Sequence, residues 1–305
     1  MTQPSPSSAS PSSLPPLHIA VLGIGMMGFP MARRLCEAGL SVSAWNRSRT
    51  KSDRLLPFGA RVTDTPAEAV AQADVVITLL EDGGIVEDVL FRQGAAQAMR
   101  PGSIVMDMSS IQPAQARDHA ARLGALGVHH IDAPVSGGTL GAEQGTLAIM
   151  AGGKAADVER VQPVLAVLGR ATHVGPHGAG QLAKLANQMI VGITIGAVAE
   201  ALLLCEKGGA DMARVKQAIT GGFADSRILQ VHGQRMIERD FAKRGAVSVQ
   251  LKDMRNALAT AQEVGFTAPI TSLFEQLFAE AADHGLADLD HSALFVELAS
   301  RNGMA

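Results

Sequence analysis

The chain has 305 residues, of which 47% are hydrophobic, so it is long enough to bury a large core and to divide into two domains. Its formal net charge is −3 with acidic and basic residues spread along the sequence, which gives no basic stripe for a nucleic-acid partner. The absence of such a stripe favours a small molecule as the partner. The longest apolar-rich stretch, Met189 to Cys205, is interrupted by Gly192, Gly196 and Glu200, so we expect no membrane span.

Residues 1–16 are rich in serine and proline and contain no lysine or arginine. They lack the basic start and the apolar run of a secretory signal, so this segment is predicted to be a disordered tail. The only cysteines, Cys36 and Cys205, have no pairing pattern or metal-ligand spacing, which is typical of a reducing compartment. We therefore expect a cytoplasmic protein without a structural metal.

From Leu17 onward, short β-branched runs alternate with amphipathic helical stretches, which is the pattern of a parallel sheet covered by helices. The predicted strands are His18–Leu22, Ser41–Trp45, Asp74–Leu80, Ser103–Met108, His129–Ala133 and Thr146–Ala151. The predicted helices between them are Met27–Ala38, Gly84–Ala98 and Pro113–Leu123. This order predicts an α/β fold with a doubly wound sheet of the Rossmann type over residues 17–176.

The first predicted strand runs into Gly23, Gly25 and Gly28, and a helix opens directly after the second glycine at Met26 and Met27. In this G-x-G-x-x-G spacing the first glycine permits a tight turn, the second lets the backbone approach a pyrophosphate, and the third lets the helix pack closely on the strand. The motif lies between a β-branched strand and an amphipathic helix, so it predicts a dinucleotide site rather than an ordinary glycine-rich turn.

The second predicted strand is followed by Asn46, Arg47, Ser48 and Arg49, where many NAD-binding proteins have an acid that bonds the ribose 2′-hydroxyl. A guanidinium from Arg47, helped by Asn46 and Ser48, suits a 2′-phosphate instead. The sequence therefore predicts a preference for NADP(H), with NAD(H) still possible. The alternative is that these residues are only the solvated start of a helix.

A glycine-rich stretch from Asp132 to Gly153 follows the predicted strand His129–Ala133. Ser136, Gly137 and Gly138 offer a hydroxyl and backbone N–H groups, which is what a substrate carboxylate needs. On glycine content alone, a wide structural loop would be the better interpretation.

A second glycine cluster, from Gly175, opens a long helical pattern that runs to about Lys207. Gly180, Lys184 and Asn187 share one face of this helix, and we expect the glycine to leave space above the lysine for a ligand. Burial on an apolar face would lower the pKa of Lys184 and make it a general acid, whereas the alternative is a surface lysine. The chain has no tyrosine, which excludes reductases that use a Tyr–Lys pair.

Four motifs, taken together, resemble those of the β-hydroxyacid dehydrogenase family, which includes 3-hydroxyisobutyrate dehydrogenases, tartronate semialdehyde reductases and glyoxylate/succinic semialdehyde reductases. They are G-I-G-M-M-G-F-P-M-A from Gly23, the stretch Asp132–Gly153, the stretch Gly175–Gln188, and L-K-D-M from Leu251. The resemblance covers almost all of residues 17 to 300. It implies that the Rossmann-type domain is joined by a long helix to an all-α C-terminal domain over residues 177–305, with the active site between them.

The resemblance also implies roles for individual residues. Lys184 matches the catalytic lysine, and Ser136, Gly137, Gly138 and Asn187 match the residues that bind the substrate. The glycine motif, the residues after the second strand and the resemblance together give the predicted cofactor contacts, which are Gly23, Gly25, Met26, Met27, Gly28, Asn46, Arg47, Ser48, Leu79, Leu80, Ser110 and Lys252. Asp253 is expected to orient the region around Lys252. Glu81 and the turn Lys243–Arg244–Gly245 depart from the family pattern, which puts the substrate and one edge of the pocket in doubt.

These observations predict an NADP(H)-dependent oxidoreductase that reduces a small aldehyde- or oxo-carboxylic acid, of the glyoxylate, succinic semialdehyde or tartronate semialdehyde type. The nearest alternative is an NAD-dependent dehydrogenase of 3-hydroxyisobutyrate or of a serine-type hydroxy acid. An imine reductase and a non-catalytic reader module are more remote, because both usually lack the lysine found at position 184.

The remaining expectations concern assembly and histidine. The predicted helices Asp211–Thr220, Gln250–Glu263 and Pro269–Ala282 carry more apolar surface than one small domain can cover, which predicts a homodimer or homotetramer. Among the histidines, His177, in the loop before the long helix, is the one expected nearest to the site.

Overall fold

The apolar runs of the first half become strands that are buried on both faces, as parallel sheets require. In the computed structural model, which describes residues 17–304, every residue of two of these strands is buried. The nine strands described are β1 (His18–Leu22), β2 (Ser41–Trp45), β3 (Arg61–Val62), β4 (Val75–Thr78), β5 (Ile104–Asp107), β6 (His129–Asp132), β7 (Val135–Ser136), β8 (Leu147–Gly153) and β9 (Gly169–Gly175). The predicted tail, residues 1–16, lies outside the described residues.

The sheet has the strand order β3-β2-β1-β4-β5-β6-β8-β7, with β9 paired to β8. The first six strands are parallel and in the Rossmann order, whereas β8 runs antiparallel to both β6 and β7. Ile19 of β1 pairs with Val42 on one side and with Val75 on the other. Because the winding reverses between β1 and β4, a crevice opens at their carboxyl ends, which is where such sheets bind ligands.

Helices cover both faces of this sheet. Those of the first half are α1 (Gly28–Glu37), α2 (Arg49–Asp53), α3 (Pro66–Val70), α4 (Gly83–Glu87), α5 (Ala95–Ala98), α6 (Pro113–Ala125), α7 (Gly138–Gln144), α8 (Ala155–Arg160) and α9 (Gln162–Leu168). Pro30, Met31 and Leu35 of α1 face the sheet and are buried. One apolar cluster lies on each side of the sheet, so the α/β prediction is confirmed.

The structure corrects several predicted boundaries. The predicted helix Gly84–Ala98 is wrong as a single element, because a π-helical turn at Asp88–Arg92 follows α4 and Gly94 adopts a left-handed φ of 76° before α5. A left-handed residue ends helical hydrogen bonding, and glycine adopts it without a Cβ clash. The strands β3, β7 and β9 were not predicted, since two have only two residues and β9 carries no continuous apolar run.

The second half of the described chain is helical. Its helices are α10 (Ala179–Lys207), α11 (Met212–Ile219), α12 (Gln234–Glu238), α13 (Val247–Glu263), α14 (Pro269–Ala281) and α15 (Leu294–Arg301). Phe278 and Phe295 are fully buried in a third apolar cluster, which the second half forms around α10. The 29-residue helix α10 starts at the sheet and ends inside this cluster, so it joins the two domains.

By length and composition α10 is apolar enough to cross a membrane, so the expectation that no segment has this property is wrong. The helix nevertheless packs against β8, α13, α14 and α15, as the core helix of a folded domain does. Two of its glycines make the packing close, because a Cβ at Gly192 would collide with Met254 and one at Gly196 would collide with Phe274. The glycines that break up the apolar stretch therefore serve helix packing.

Candidate active site

The glycine turn after β1 is shaped by close backbone contacts. Gly23 has a φ of 108°, and its N–H donates to the carbonyl of Trp45 at 2.9 Å. A Cβ at Gly23 would collide with the carbonyl of Leu79, and one at Gly28 would collide with the carbonyl of Gly23. Gly25 faces open space, with no atom within 4 Å of where a Cβ would stand. The open space at Gly25 therefore lets a ligand such as a pyrophosphate approach the backbone of the turn.

The end of β2 holds this turn in place. The N–H of Ile24 donates to Asn46 Oδ1 at 3.0 Å, and Asn46 Nδ2 donates to the carbonyl of Ser48 at 3.1 Å. The Asn46 side chain thus ties two loops together, a task that its sequence position did not indicate. Arg49 pairs with Asp53 and Asp64, whereas the exposed Arg47 makes no ion pair within residues 17–304.

Leu79 and Leu80 follow β4 and lie beside the glycine turn, at the carboxyl ends of the parallel strands. The N–H of Leu80 donates to Ser109 Oγ at 3.0 Å. Both leucines are half-buried, Met27 is half-buried, and Met26 is 58% exposed. Leu79 and Leu80 lie directly beside the glycine turn, since a Cβ at Gly23 would meet the Leu79 carbonyl and the Leu80 side chain.

Asp132 at the end of β6 fixes the start of α10. Its buried carboxylate accepts from the N–H of Gly178 at 2.8 Å and from the N–H of Gln181 at 2.9 Å. Burial raises the pKa of Asp132, and these two backbone hydrogen bonds act in the opposite direction. A carboxylate at a helix N-terminus satisfies N–H groups that have no partner inside the helix and is favoured by the helix dipole.

Gly180 does not leave space for a ligand above Lys184, so that prediction is wrong. A Cβ at Gly180 would collide with the carbonyls of Asp132 and Met150. The glycine lets the first turn of α10 press against the sheet edge. Its neighbour Gln181 completes the junction, because its side chain accepts from the N–H of Ile111 at 3.1 Å and donates to the carbonyl of Ser109 at 2.8 Å.

His177 is also not directed toward Lys184. Its Nε2 bonds to the carbonyl of His130 at 2.9 Å, and the two rings lie 5.9 Å apart. His130 is buried, which lowers its pKa to about 3, so this pair of rings packs against the sheet.

Lys184 and Asn187 converge on one acceptor on α10. Lys184 Nζ and Asn187 Nδ2 each donate to Gln188 Oε1 at 2.8 Å. Gln188 Nε2 donates in turn to Asp253 Oδ2 on α13 at 2.7 Å. Sequence reasoning missed Gln188, although it stands four residues after the lysine, which places both on the same helix face.

Burial lowers the pKa of Lys184 to about 8. The charge of Asp253 opposes this shift and that of Lys252 adds to it. A lysine with a pKa near neutrality can both hold and release a proton at working pH, which an exposed lysine does poorly.

Helix α13 connects this lysine to the carboxyl edge of the sheet. Lys252 Nζ donates to the carbonyl of Glu81 at 3.0 Å and to that of Ser110 at 3.1 Å. Ser110 Oγ donates to Asp253 Oδ1 at 3.1 Å. The structure therefore brings Ser110, Lys252 and Asp253 together with Lys184, and the side chain of Lys252 bridges the two domains.

The segment Ser136–Gly138 includes β7, which packs against α10, the helix that carries Lys184. Gly137 has a φ of 139° and Gly138 a φ of 63°, values that side chains rarely allow. A Cβ at Gly138 would meet open space, so the backbone is accessible there. The half-buried Ser136 hydroxyl stands beside these two residues.

A cluster of polar side chains that the sequence did not predict lies at the start of α13. Arg235 donates to both oxygens of the fully buried Asp290, at 3.2 and 3.1 Å, and the rings of His232 and His291 are 4.6 Å apart. Burial lowers the pKa of His291 to about 4, with His232 and Lys184 contributing in the same direction. His291 thus lies within electrostatic range of Lys184.

This cluster has the ligand types of a metal site, because the candidate ligand atoms of His232, Asp290 and His291 lie within 4.8 Å of one another. The Arg235 guanidinium already occupies the carboxylate of Asp290, and a second cation there would be repelled. The turn that departs from the family pattern also belongs here, since the N–H of Gly245 donates to Asp290 Oδ2 at 3.2 Å.

Comparison with known proteins assigns this arrangement to a family. A family model described as the NAD binding domain of 6-phosphogluconate dehydrogenase matches residues 18–175. A second model, described as NAD-binding of NADP-dependent 3-hydroxyisobutyrate dehydrogenase, matches residues 178–298. Together these two models account for both domains.

Individual relatives agree with the models. The 2-hydroxy-3-oxopropionate reductase of Escherichia coli is 43% identical over 270 residues, which cover 88% of this chain and 92% of the relative. The structure of 3-hydroxyisobutyrate dehydrogenase from Salmonella typhimurium matches 92% of this chain and 99% of its own, with 31% identity and a TM-score of 0.85. That of the Mycobacterium tuberculosis enzyme with L-serine matches 93% and 99%, with 34% identity and a TM-score of 0.84. The chain therefore belongs to the β-hydroxyacid dehydrogenase family of NAD(P)-dependent oxidoreductases.

Proposed function

We propose that this protein uses NADP(H) to reduce a small aldehyde- or oxo-carboxylic acid to the hydroxy acid, with Lys184 as the general acid. The observation that carries the proposal is the position of Lys184, which is half-buried on α10 and linked through Gln188 to Asp253 at the junction of the two domains. Its pKa of about 8 suits proton transfer to a forming alkoxide near neutral pH.

The substrate class follows from polar groups on α10 and on the segment packed against it. Ser136, Gly137 and Gly138 offer a hydroxyl and an accessible backbone beside α10, which suits a carboxylate. Asn187, fixed by its bond to Gln188, would orient the carbonyl group of the substrate. The 43% identical relative is named 2-hydroxy-3-oxopropionate reductase, which favours a tartronate semialdehyde type of substrate over glyoxylate and succinic semialdehyde.

The cofactor would lie in the crevice above the glycine turn. The open space at Gly25 and the close contacts of Gly23 and Gly28 fit a pyrophosphate held by backbone N–H groups. Met26, Met27, Leu79, Leu80, Ser110 and Lys252 would line the rest of this site. Arg47, exposed and without an ion pair within residues 17–304, would bind the 2′-phosphate, while Asn46 and Ser48 shape the loop that carries it.

The chain's own residues would perform positioning and proton transfer. NADPH supplies a hydride to the carbonyl carbon when it is bound. The Lys184 ammonium protonates the carbonyl oxygen as negative charge develops there, and Ser136, Gly137 and Gly138 hold the carboxylate in a fixed place. Such general acid catalysis contributes about 10² to 10⁴ in rate, and alignment of the reacting groups adds to it.

The test is the initial-rate kcat/KM for tartronate semialdehyde, glyoxylate and succinic semialdehyde, each with NADPH and with NADH. A clear preference for NADPH and for one aldehyde acid is expected. If NADH is preferred, or if only oxidation of 3-hydroxyisobutyrate or serine is detected, the NAD-dependent dehydrogenase becomes the better interpretation, as the relative crystallised with L-serine suggests.

We further propose that the protein is a cytoplasmic homodimer or homotetramer. Helix α10 carries an exposed apolar stripe at helical spacing that includes Leu182, Ile190 and Leu204, which are 53%, 67% and 73% exposed. Ile270 and Leu273 of α14 are also exposed. Exposed apolar side chains on two helices that pack together are unfavourable in water, and a second subunit would cover them. Light scattering at micromolar concentration tests the assembly, and a monomeric mass would refute it.

A further inference from the structure

Gln188 connects the two side chains closest to the proposed chemistry with the rest of the molecule. It is 9% exposed, and both atoms of its side-chain amide have partners. Oε1 accepts from Lys184 and from Asn187, each at 2.8 Å, while Nε2 donates to Asp253 at 2.7 Å. No other residue of the described chain, 17–304, contacts all three of these groups through hydrogen bonds.

The orientation of this amide is determined by the chemistry of its neighbours. An ionised aspartate only accepts hydrogen bonds, and a lysine ammonium only donates them. Turning the Gln188 amide over would therefore place its oxygen against the Asp253 carboxylate and its NH₂ against the Lys184 ammonium. Both contacts would be repulsive and buried, so Asp253 holds Oε1 toward Lys184.

Asp253 and Gln250 make the arrangement rigid. The second oxygen of Asp253 accepts from Ser110 Oγ at 3.1 Å, which anchors the carboxylate to the sheet domain. Gln250 Nε2 donates to the backbone carbonyl of Gln188 at 2.9 Å and holds its main chain. The bonds therefore run from the sheet domain through Asp253 and Gln188 to Lys184.

A neutral acceptor at this position has a chemical consequence. An amide oxygen fixes the direction of the Lys184 ammonium without binding its proton as strongly as a carboxylate would. The other charged or titratable groups facing Lys184 are Asp253 and Lys252 of α13 and His291, which precedes α15. Of these groups, Asp253 is hydrogen-bonded to Gln188. The Gln188 amide therefore lies between the Asp253 carboxylate and the Lys184 ammonium.

We propose that Gln188 is a positioning residue that aims the Lys184 ammonium and the Asn187 amide at the substrate carbonyl, with its own orientation set by Asp253. The proposal rests on the proposed role of Lys184 as the proton donor. In this role Gln188 affects the reaction by orienting Lys184 and Asn187, and it does not need to contact the substrate itself.

The experiment compares Gln188→Met and Gln188→Glu with the unaltered protein. Methionine has a similar length but offers no oxygen, so the ammonium loses an acceptor and the pKa of Lys184 falls. Glutamate places a carboxylate there, so the pKa rises. The pKa is read directly by NMR titration of ¹⁵N-labelled lysine in the cofactor-free protein, with Lys184→Met used to assign the signal.

We expect the Lys184 pKa to fall by about one unit in Gln188→Met and to rise by about one unit in Gln188→Glu, since hydrogen bonds to charged groups are worth roughly that much. The pH at which reduction is lost should move in the same two directions. Gln188→Met should also raise KM for the carbonyl substrate several-fold, because Asn187 loses its acceptor. A residue with a purely structural role would not shift the pKa in opposite directions.

Gln230→Met is the matched control, because Gln230 is a half-buried glutamine whose amide donates to Thr220 and Asp225 and makes no bond to Lys184, Gln188 or Asp253. It should lower the melting temperature and leave the Lys184 pKa unchanged. If both Gln188 variants fold and retain the unaltered pKa, the inference is wrong. If Gln188→Met does not fold, an unchanged pKa in Gln188→Glu is enough to overturn it. If Lys184→Met retains full turnover, the proposed function fails instead, whatever the NMR titration gives.

Discussion

Replacing Lys184 with methionine tests the proton-transfer role at its source. Methionine keeps most of the side-chain length but carries no transferable proton, and the half-buried site accepts an apolar group. We expect kcat for reduction to fall by about 10² to 10⁴, the usual contribution of a general acid. Cofactor affinity should change little, because the hydrogen bond of Lys184 runs to Gln188 rather than toward the glycine turn. Lys154→Met, at an exposed position before α8, serves as the control.

The rate of reduction should also depend on pH, because it follows the protonation of Lys184. The reduction needs the protonated lysine, and its pKa is lowered by burial to about 8. The rate should therefore fall to about half near this pH and then about tenfold for each further pH unit. Oxidation of the hydroxy acid needs the neutral amine, so its rate should rise over the same range. An unperturbed lysine would keep reduction constant up to about pH 10.

The assay is the initial rate of NADPH consumption at saturating substrate, measured from about pH 6 to about pH 10. Each point is repeated with cofactor deuterated at the transferred position, so that an isotope effect verifies that hydride transfer limits the rate. A flat profile for reduction in which the isotope effect persists would refute the reasoning about Lys184.

Three further predictions concern packing and the cofactor. Gly180→Ala should lower the free energy of unfolding by about 1 to 3 kcal/mol, since a Cβ there collides with two carbonyls. The control Gly124→Ala on α6, where no atom lies within 4 Å of the added Cβ, should raise it by about 0.5 to 1 kcal/mol. Urea unfolding measures both changes. Asp132→Asn should lose about 1 to 3 kcal/mol in the same assay, because it turns an NH₂ group toward the start of α10, and an unchanged midpoint would contradict the capping role. Arg47→Ala should raise KM for NADPH roughly tenfold or more and leave KM for NADH unchanged; equal changes for both cofactors would remove Arg47 from 2′-phosphate recognition.

The sheet was predicted well where burial leaves a strong local signal. Strands β1 and β2 have the predicted bounds, because both are short runs of apolar and β-branched residues set off by polar or glycine residues. The predictions failed where no such signal exists. Arg61–Val62 and Gly169–Gly175 become strands only because a neighbouring strand offers unpaired backbone groups, and Gly94 ends a helical segment through its left-handed φ.

Around Lys184 the sequence indicated which residue types matter but not how they are connected. The spacing of Lys184 and Asn187 placed both on one face of a helix, and the structure agrees. The role of Gln188 was not accessible, because it depends on Asp253, a residue that follows it by 65 positions in the chain. Gly180 was misread for a similar reason, since the atoms that exclude a side chain there belong to β6 and β8.

The sequence by itself determined the α/β class, the family and the residue types available for cofactor and proton transfer, because periodicity, glycine spacing and short motifs are local properties of the chain. The tertiary structure alone decided that Asp132 caps α10, that Lys252 bridges the domains, and that desolvation lowers the pKa of Lys184 to about 8. Burial and hydrogen-bond partners depend on segments far apart in sequence, so they appear only when the chain has folded and α13 has docked on the sheet.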